Sequence, residues 1–530
     1  MNKVNIFLIP VLTIFLSIHL QAADYPIIPY PQQLTPQKGY FTLDNQTNIV
    51  SDDFSEEEIK AIAGSWPVEI ITTPGFSGKK AIILQHNNKI DHPEAYTMDI
   101  STQKILIQAN SPKGCFYAMQ TLRQLLSPQF DLNKAPVSIP CCKIKDHPKY
   151  GYRGMHLDVC RHFAPVEEIK TLIDQISFLK INTFHWHLTD DQGWRIEIKK
   201  YPLLTQTGAY RNRTIIGHPR RDIPHKFDQT VYGGFYTQEQ IREVVEYAAS
   251  KFVDVLPEIE MPGHAMAALA AYPQYSCSGG PFEVAGTWGV FNDVFCPKDS
   301  TFIFLQNILD EVIALFPYPY IHVGGDECPV IRWKNCVHCQ KRIAEEGLKD
   351  EHELEDYFVR RIENYLKEKG KKIVGWEEIL NPNLNPTSRI MSWRGEKTGI
   401  KASKMGYDVI MTPDTYLYLD YHQSKSDSLK IGPYLPVEKV YSYNPASDSL
   451  NKEEAKHIAG VQANVWTEYM STPQRRQEMI FPRIAALSEI AWLDANFKDY
   501  ERFSQNLKQY MQQVQSINKI TNLNHYGVQH

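Results

Sequence analysis

The sequence lacks an excess of either charge: 56 Lys and Arg stand against 61 Asp and Glu, a formal net of −5. That balance gives no reason to expect nucleic acid as a partner, and its mild acidity says nothing about a substrate. After residue 20 there is no apolar run near the ~18 residues that a membrane-spanning helix needs, so the mature chain should carry no stable membrane span. A Gly-rich phosphate turn is also missing, because Gly151 and Gly154 lack the spacing of a dinucleotide fingerprint. Cysteine is sparse, nine in 530 residues, and Cys336-Val-His-Cys339 has no second C-x-x-C to complete a zinc cluster. That pair is open to three readings: a tight disulfide, half of a metal site, or plain thiols. Cys277 and Cys296 could close one loop, and the odd total leaves at least one cysteine without an intrachain partner.

What is present begins with a leader. One lysine, an apolar stretch over 4–20 and Ala22-Ala23 form a secretory signal pattern over residues 1–23, implying export to a periplasm or beyond. The whole chain is 43% hydrophobic and 12% aromatic, enough for a large core and suited to a sugar-binding cleft, although aromatic packing alone would account for it.

Two folding units follow. Residues 24–149 open with an extended, Pro-rich lead-in over 25–36. Short strands follow at 68–71, 81–84, 96–100 and 104–108, then a helix over 113–126, whose Phe116, Met119, Leu122 and Leu125 keep helical spacing. This predicts a small α/β domain of mixed sheet and helices, with a Pro-bearing linker at 127–148. From 150 to 500 short apolar strands alternate with amphipathic helices. Strands are expected at 154–159, 183–188, 253–259, 320–323, 372–375, 389–392, 408–411 and 459–463, the eight that a (β/α)₈ TIM barrel requires. A doubly wound sheet is the alternative, weakened by the absent glycine fingerprint. Residues 501–530 read as a C-terminal helix and polar tail.

Polar residues cluster where these strands end, and in a barrel such ends share one mouth. The adjacent Asp326-Glu327 pair stands out. Successive side chains of a strand face opposite sides, so two neighbouring acids can enter one pocket only where the strand has stopped. Gly324-Gly325 permits that turn. Crowding and low solvent access would raise one pKa toward what a general acid needs.

Gly-Gly-Asp-Glu at 324–327, His-Trp-His-Leu-Thr-Asp-Asp-Gln-Gly-Trp-Arg at 185–195 and Glu-Met-Pro-Gly-His at 260–264 resemble the family 20 glycoside hydrolases, the β-N-acetylhexosaminidases. Tyr-Leu-Asp-Tyr at 418–421 and Gln-Ala-Asn-Val-Trp-Thr-Glu at 462–468 extend the resemblance, which covers nearly all of 25–495. It implies a retaining exo-enzyme that removes terminal β-linked GlcNAc or GalNAc through an oxazolinium intermediate, without cofactor or metal. The partners implied are glycans ending in that sugar, such as chitobiose, N- or O-glycans or other glycoconjugates.

By the same resemblance Glu327 is the general acid, Asp326 accepts the acetamide N–H, and Tyr418 donates to the acetamide oxygen. Trp376, Trp393 and Trp466 wall the pocket. Arg153, with Glu468, grips O3 and O4, while Asp420 takes O6. Asp190 and His264 form a supporting polar pair, with His187 and Asp191 behind them. Segments 207–235 and 275–298 yield no reading.

Three rival functions use fewer of these residues. A barrel amidohydrolase could ligate a metal through His185 and His187 with His264 or His322, yet leaves Asp326-Glu327 and the tryptophans unexplained. A silent carbohydrate-binding protein would not need Glu327. An endo-acting chitinase would show an Asp-x-Asp-x-Glu triad, which is missing.

Overall fold

The computed structural model describes residues 25–51, 53–64, 69–71, 80–126, 136–425, 429 and 431–518. The expected leader and the polar tail beyond 518 lie outside the described residues.

Eight parallel strands close into a barrel in the order Tyr152–Asp158, Thr183–His187, Asp254–Met261, Tyr320–Gly324, Lys372–Trp376, Arg389–Ser392, Asp408–Met411 and Ile458–Ala463. The last strand pairs back onto the first through Gln462 and Gly154. Each expected strand is found to within two residues at either end. The reason is visible in burial: both faces of these strands are covered, so they read as continuous apolar runs.

Helices Val166–Phe178, Gln238–Ser250 and Asp299–Leu315 shield the outside. A capping box fixes the start of the second, where Thr237 accepts from Gln240 N–H and the Gln240 side chain answers to Thr237. After the fourth strand the helical segment is broken into Ile331–Lys334, Val337–Glu346 and Glu351–Glu368. Gly347 ends the middle helix in the left-handed conformation, at φ 65°.

The N-terminal domain is a seven-stranded mixed sheet under the helix Pro112–Gln124. Here the linker expected at 127–148 is corrected: Val137–Asp146 is a strand inside this sheet, between Gln33–Leu43 and Tyr96–Ile100. The lead-in is likewise strand from Gln33 onward. Prolines misled the reading at both places, and the sheet accommodates them by position. Pro36 and Pro140 flank the register shift between the two strands, and Pro140 lies beyond the stretch paired with Tyr96–Ile100, so it interrupts no ladder there.

The domains meet at the N-terminal end of the barrel through buried polar contacts. Lys180 pairs with Asp146 at 3.0 Å, and Trp492 Nε1 donates to Asp146 Oδ1 at 2.8 Å. The C-terminal helix Tyr500–Asn518 is part of the same body rather than an appendage. Its Phe503, Leu507, Tyr510 and Val514 are buried, and Gln513 donates to the carbonyls of Gln124 and Leu126.

Candidate active site

At the C-terminal end of the barrel a cavity of about 470 Å³ opens. Asp326, Glu327, Trp376, Trp393, Tyr418, Asp420, Trp466, Glu468 and His264 all face it, carried at the ends of barrel strands or on the segments that follow them.

The acidic pair sits on a backbone that only these residues allow. Gly324 and Gly325 have φ of 67° and 92°, and a Cβ on Gly324 would stand 1.8 Å from Glu260 Oε2. Glu327 itself has φ 48°, and His264 opposite has φ 46°; neither is glycine. Left-handed backbone at two polar residues facing one cavity is local strain that the surrounding fold holds in place. Asp326 and Glu327 thereby both turn into the pocket, Asp326 buried and Glu327 half-exposed at the rim.

Electrostatics divide the two acids in an unexpected direction. Burial pushes Asp326 above its ordinary value, opposed by the His264 charge and helped by Glu258 and Glu327. Glu327 is held below the usual range by the His264 imidazolium, 3.7 Å from its carboxylate, with burial opposing. The sequence reading expected crowding to raise the acid; in the free protein the raised member is its neighbour. His264 lies 3.6 Å from Asp326 and 2.9 Å from Asp191. Burial disfavours its charge, but Asp190 and Asp326 overcome that and hold it well above its ordinary value.

Asp190, Asp191 and His187 stand behind the cavity. His187 joins Asp190 at 2.9 Å and bonds to Glu258. Glu258, wholly buried in the barrel interior, also meets His322 at 2.8 Å and His185 at 3.2 Å, and accepts from Trp376 Nε1 at 2.8 Å. This polar layer fixes the plane of the tryptophan on the pocket floor. His185, His187 and His322 all meet Glu258 in the barrel interior, whereas His264 stands apart with Asp191 and Asp326 at the cavity.

Arg153 needs correction. It lies at the start of the first barrel strand, at the end opposite the cavity, and is 1% exposed. There it pairs with Glu94 of the N-terminal domain at 2.8 Å and donates to Tyr117 and to the carbonyls of Lys180 and Tyr150. The arginine that this strand sends into the pocket is Arg161, three residues past its other end. Asp190 at 2.8 Å, Asp158 at 3.4 Å and Gln192 at 2.7 Å orient its guanidinium, which sits 5.1 Å from the Trp466 ring centre. The rule that chemistry gathers at strand C-termini would have chosen it.

Other pocket residues were also missed. His218, Arg220, Arg221 and Trp288 reach the mouth from the two segments that gave no reading. Glu378 accepts from Trp393 Nε1 at 3.1 Å and from the Glu327 amide at 3.4 Å, and pairs with Arg394 at 2.8 Å. Burial and the nearby Asp326 charge raise Glu378 to about 7.

Among the described residues, three of the acids facing the cavity keep a buried oxygen without a protein donor: Asp326 Oδ1, Asp420 Oδ1 and Glu468 Oε2. Unpaired buried acceptors are costly, and these three side chains face one tryptophan-walled cavity. Such an arrangement can receive the N–H and O–H groups of a compact polar ligand with apolar faces.

Comparison with known proteins agrees over both domains. Residues 150–495 match the catalytic domain of glycosyl hydrolase family 20, and residues 24–147 match domain 2 of that family. A β-hexosaminidase of Porphyromonas gingivalis is 45% identical over 500 residues, covering 91% of this chain and 62% of its own length. This chain therefore spans somewhat under two thirds of that relative. A β-hexosaminidase of Vibrio furnissii is 36% identical, covering 88% of this chain and 76% of its own. Among solved structures, an exo β-N-acetylglucosaminidase of Vibrio harveyi in complex with N-acetylglucosamine superposes with TM-score 0.82 at 32% identity, over 93% of this chain and 78% of that one. From the strand-end acids, the tryptophan walls and these matches across both domains, the chain belongs to glycosyl hydrolase family 20.

Proposed function

We propose that the chain is a retaining exo-β-N-acetylhexosaminidase that removes terminal β-linked GlcNAc or GalNAc by substrate-assisted catalysis. The observation that carries this reading is the set of three donor-less buried carboxylate oxygens facing the tryptophan-walled cavity. Asp326 Oδ1 accepts the acetamide N–H, Tyr418 donates to the acetamide oxygen, and Asp420 and Glu468 accept sugar hydroxyls. Trp466 lies beneath the apolar sugar face. Arg161 takes the hydroxyl-gripping role expected of Arg153, because its planar fork suits two neighbouring oxygens.

In the first step the acetamide oxygen attacks C1 while the bond to the leaving oxygen breaks. Glu327 gives that oxygen its proton. The sugar is left as an oxazolinium ion whose charge Asp326 stabilises, and no protein carboxylate bonds to it. In the second step the Glu327 carboxylate takes a proton from water, which attacks C1 from the face the leaving group vacated while the bond from C1 to the acetamide oxygen breaks and the acetamide is restored. The two inversions retain configuration. Holding the acetamide under C1 makes the attack an oriented intramolecular step.

In the free protein burial raises the pKa of Asp326 and the His264 imidazolium lowers that of Glu327, both against the direction the first step needs. The substrate corrects this. An acetamide N–H favours ionised Asp326, and a sugar that excludes water favours protonated Glu327. A plain glucoside lacks the group that would move the proton.

The leader pattern supports export, to a periplasm or the medium. The relatives' names support terminal N-acetylhexosamine glycans, chitobiose included, as substrates. The test is hydrolysis of aryl β-N-acetylglucosaminide, β-N-acetylgalactosaminide and β-glucoside by wild type, Glu327→Gln and Asp326→Asn. Turnover confined to the acetamido sugars and reduced ~10²–10⁴-fold in both variants supports the reading. Comparable glucoside turnover, or no turnover of any of the three, refutes it.

A further inference from the structure

Four of the nine cysteines meet far from each other in sequence. The sulfurs of Cys277, Cys296, Cys336 and Cys339 all lie within 4.8 Å of one another. Cys277 is 3.6 Å from Cys339, and Cys296 is 3.6 Å from Cys339 and 3.7 Å from Cys336. These separations are far beyond a sulfur–sulfur bond of ~2.05 Å. They match the edge of a sulfur tetrahedron around zinc: with Zn–S of ~2.3 Å, the S···S edge is ~3.8 Å. Cys296, Cys336 and Cys339 are buried and Cys277 is half-buried.

The C-x-x-C motif does have a second half, hidden because it is not a C-x-x-C. Cys277 and Cys296 are brought together by one antiparallel ladder step, Ser276 opposite Phe295, and by the Cys296 N–H donating to the Tyr275 carbonyl at 2.8 Å. Cys336 is the N-cap of the helix Val337–Glu346 and Cys339 lies in its first turn. The positive end of a helix favours thiolate over thiol. Lys298 adds a cation alongside, its ammonium held by the carbonyls of Ser276 and Gln274 at 2.9 and 3.2 Å. Four thiolates on a divalent ion carry net negative charge, so such neighbours are what the site needs.

We propose that these four cysteines form a closed structural site for a zinc ion. The site fastens the segment after the third barrel strand, which carries Trp288, to the segment after the fourth strand, which carries Asp326 and Glu327. Two further contacts span the same seam: Trp333 Nε1 donates to the Phe295 carbonyl at 3.0 Å, and Arg332 pairs with Asp293 at 2.9 Å. With all four ligand positions taken by protein, the ion has no open position for substrate and acts on stability, not on the bond being broken. A metal here also protects the thiols from oxidation in an exported chain.

The test uses the full chain, produced with zinc in the medium and purified without reductant. Native mass spectrometry should find about one zinc per chain, and a mercurial thiol reagent should release it as the cluster's thiols react. The paired substitution Cys336→Ser with Cys339→Ser should lose the metal and lower the thermal midpoint. Should that variant fold poorly, the wild-type measurements decide alone. A metal-free wild type after zinc exposure overturns the proposal, as does an intact mass lowered by the hydrogens that disulfides among these cysteines would remove. Iron in place of zinc, or zinc retained by the paired variant, overturns it equally.

Discussion

Replacing Arg153 by methionine should destabilise the protein without touching substrate recognition. Its partner Glu94 is held at about 2, against an ordinary 4.5; burial opposes ionisation, while Arg153 and then Lys113 overcome it. At ~1.4 kcal/mol per unit, that depression is worth ~3 kcal/mol of folding free energy, shared between the two cations. Arg153 also satisfies Tyr117 and the carbonyls of Lys180 and Tyr150, whose loss adds ~1 kcal/mol or more. The sum falls within the ~3–5 kcal/mol expected when one partner of a buried ion pair is removed.

Because the Glu94 value is depressed in the fold, its contribution is complete above the ordinary value and disappears as pH falls from 4.5 toward 2. The gap between wild type and Arg153→Met should therefore narrow in acid. Urea unfolding at neutral and acidic pH reads the stability, and adding Glu94→Gln should recover part of the loss by removing the stranded charge. Hydrolysis kinetics of the folded variant read the site. A variant of wild-type stability with a raised KM would refute this and return Arg153 to the substrate pocket.

Arg161→Lys should do the opposite. The fork between Asp190 and Asp158 is lost while the charge remains, so kcat/KM should fall ~10- to 100-fold with little change in the urea midpoint, and an unchanged kcat/KM would remove Arg161 from the site. The pH profiles should separate. The alkaline limb of kcat, set in the complex where the sugar dehydrates Glu327, should lie above that of kcat/KM, set in the free enzyme; coincident limbs would contradict the proton-transfer argument. Gly324→Ala should lose ~1–2 kcal/mol from its backbone angle alone, plus the clash with Glu260, and activity should drop with stability; a neutral effect on both would mean the turn is not strained.

The barrel was legible because burial on two faces writes eight apolar runs with the right spacing, and the competing doubly wound sheet lacks its glycine fingerprint. The N-terminal sheet was less legible where Pro36 and Pro140 sit in strands, since local chemistry marks proline as a breaker and only the partner strand reveals the register shift that tolerates it. Site residues carried by a strand end were readable from position and kind. Those carried by long loops were not: Trp288 and Arg221 owe their place in the mouth to segments whose shape depends on tertiary contacts. The cysteine cluster is the sharpest case. A ligand pair separated by residues 278–295 has no local signature, and only the ladder step at Ser276 and Phe295 brings it together.

Arg153 and Arg161 show what a motif reading leaves undetermined. Both precede or follow the same apolar strand, both are buried, and both meet a carboxylate, so residue type and neighbourhood cannot separate them. Strand direction can. A parallel barrel has one end where its strands begin, and there Arg153 is covered by Glu94 and Tyr117 of the N-terminal domain, so its charge is neutralised by protein. At the other end the strands stop and the chain must turn. Backbone is free to adopt the left-handed angles of Gly324, Glu327 and His264, and polar side chains need find only part of their partners within the protein. The same polarity explains why Glu258 is fully satisfied deep in the barrel while Asp326, Asp420 and Glu468 above it each keep an unpaired oxygen. The unmet oxygens of these three acids face the cavity, where a ligand can supply the donors.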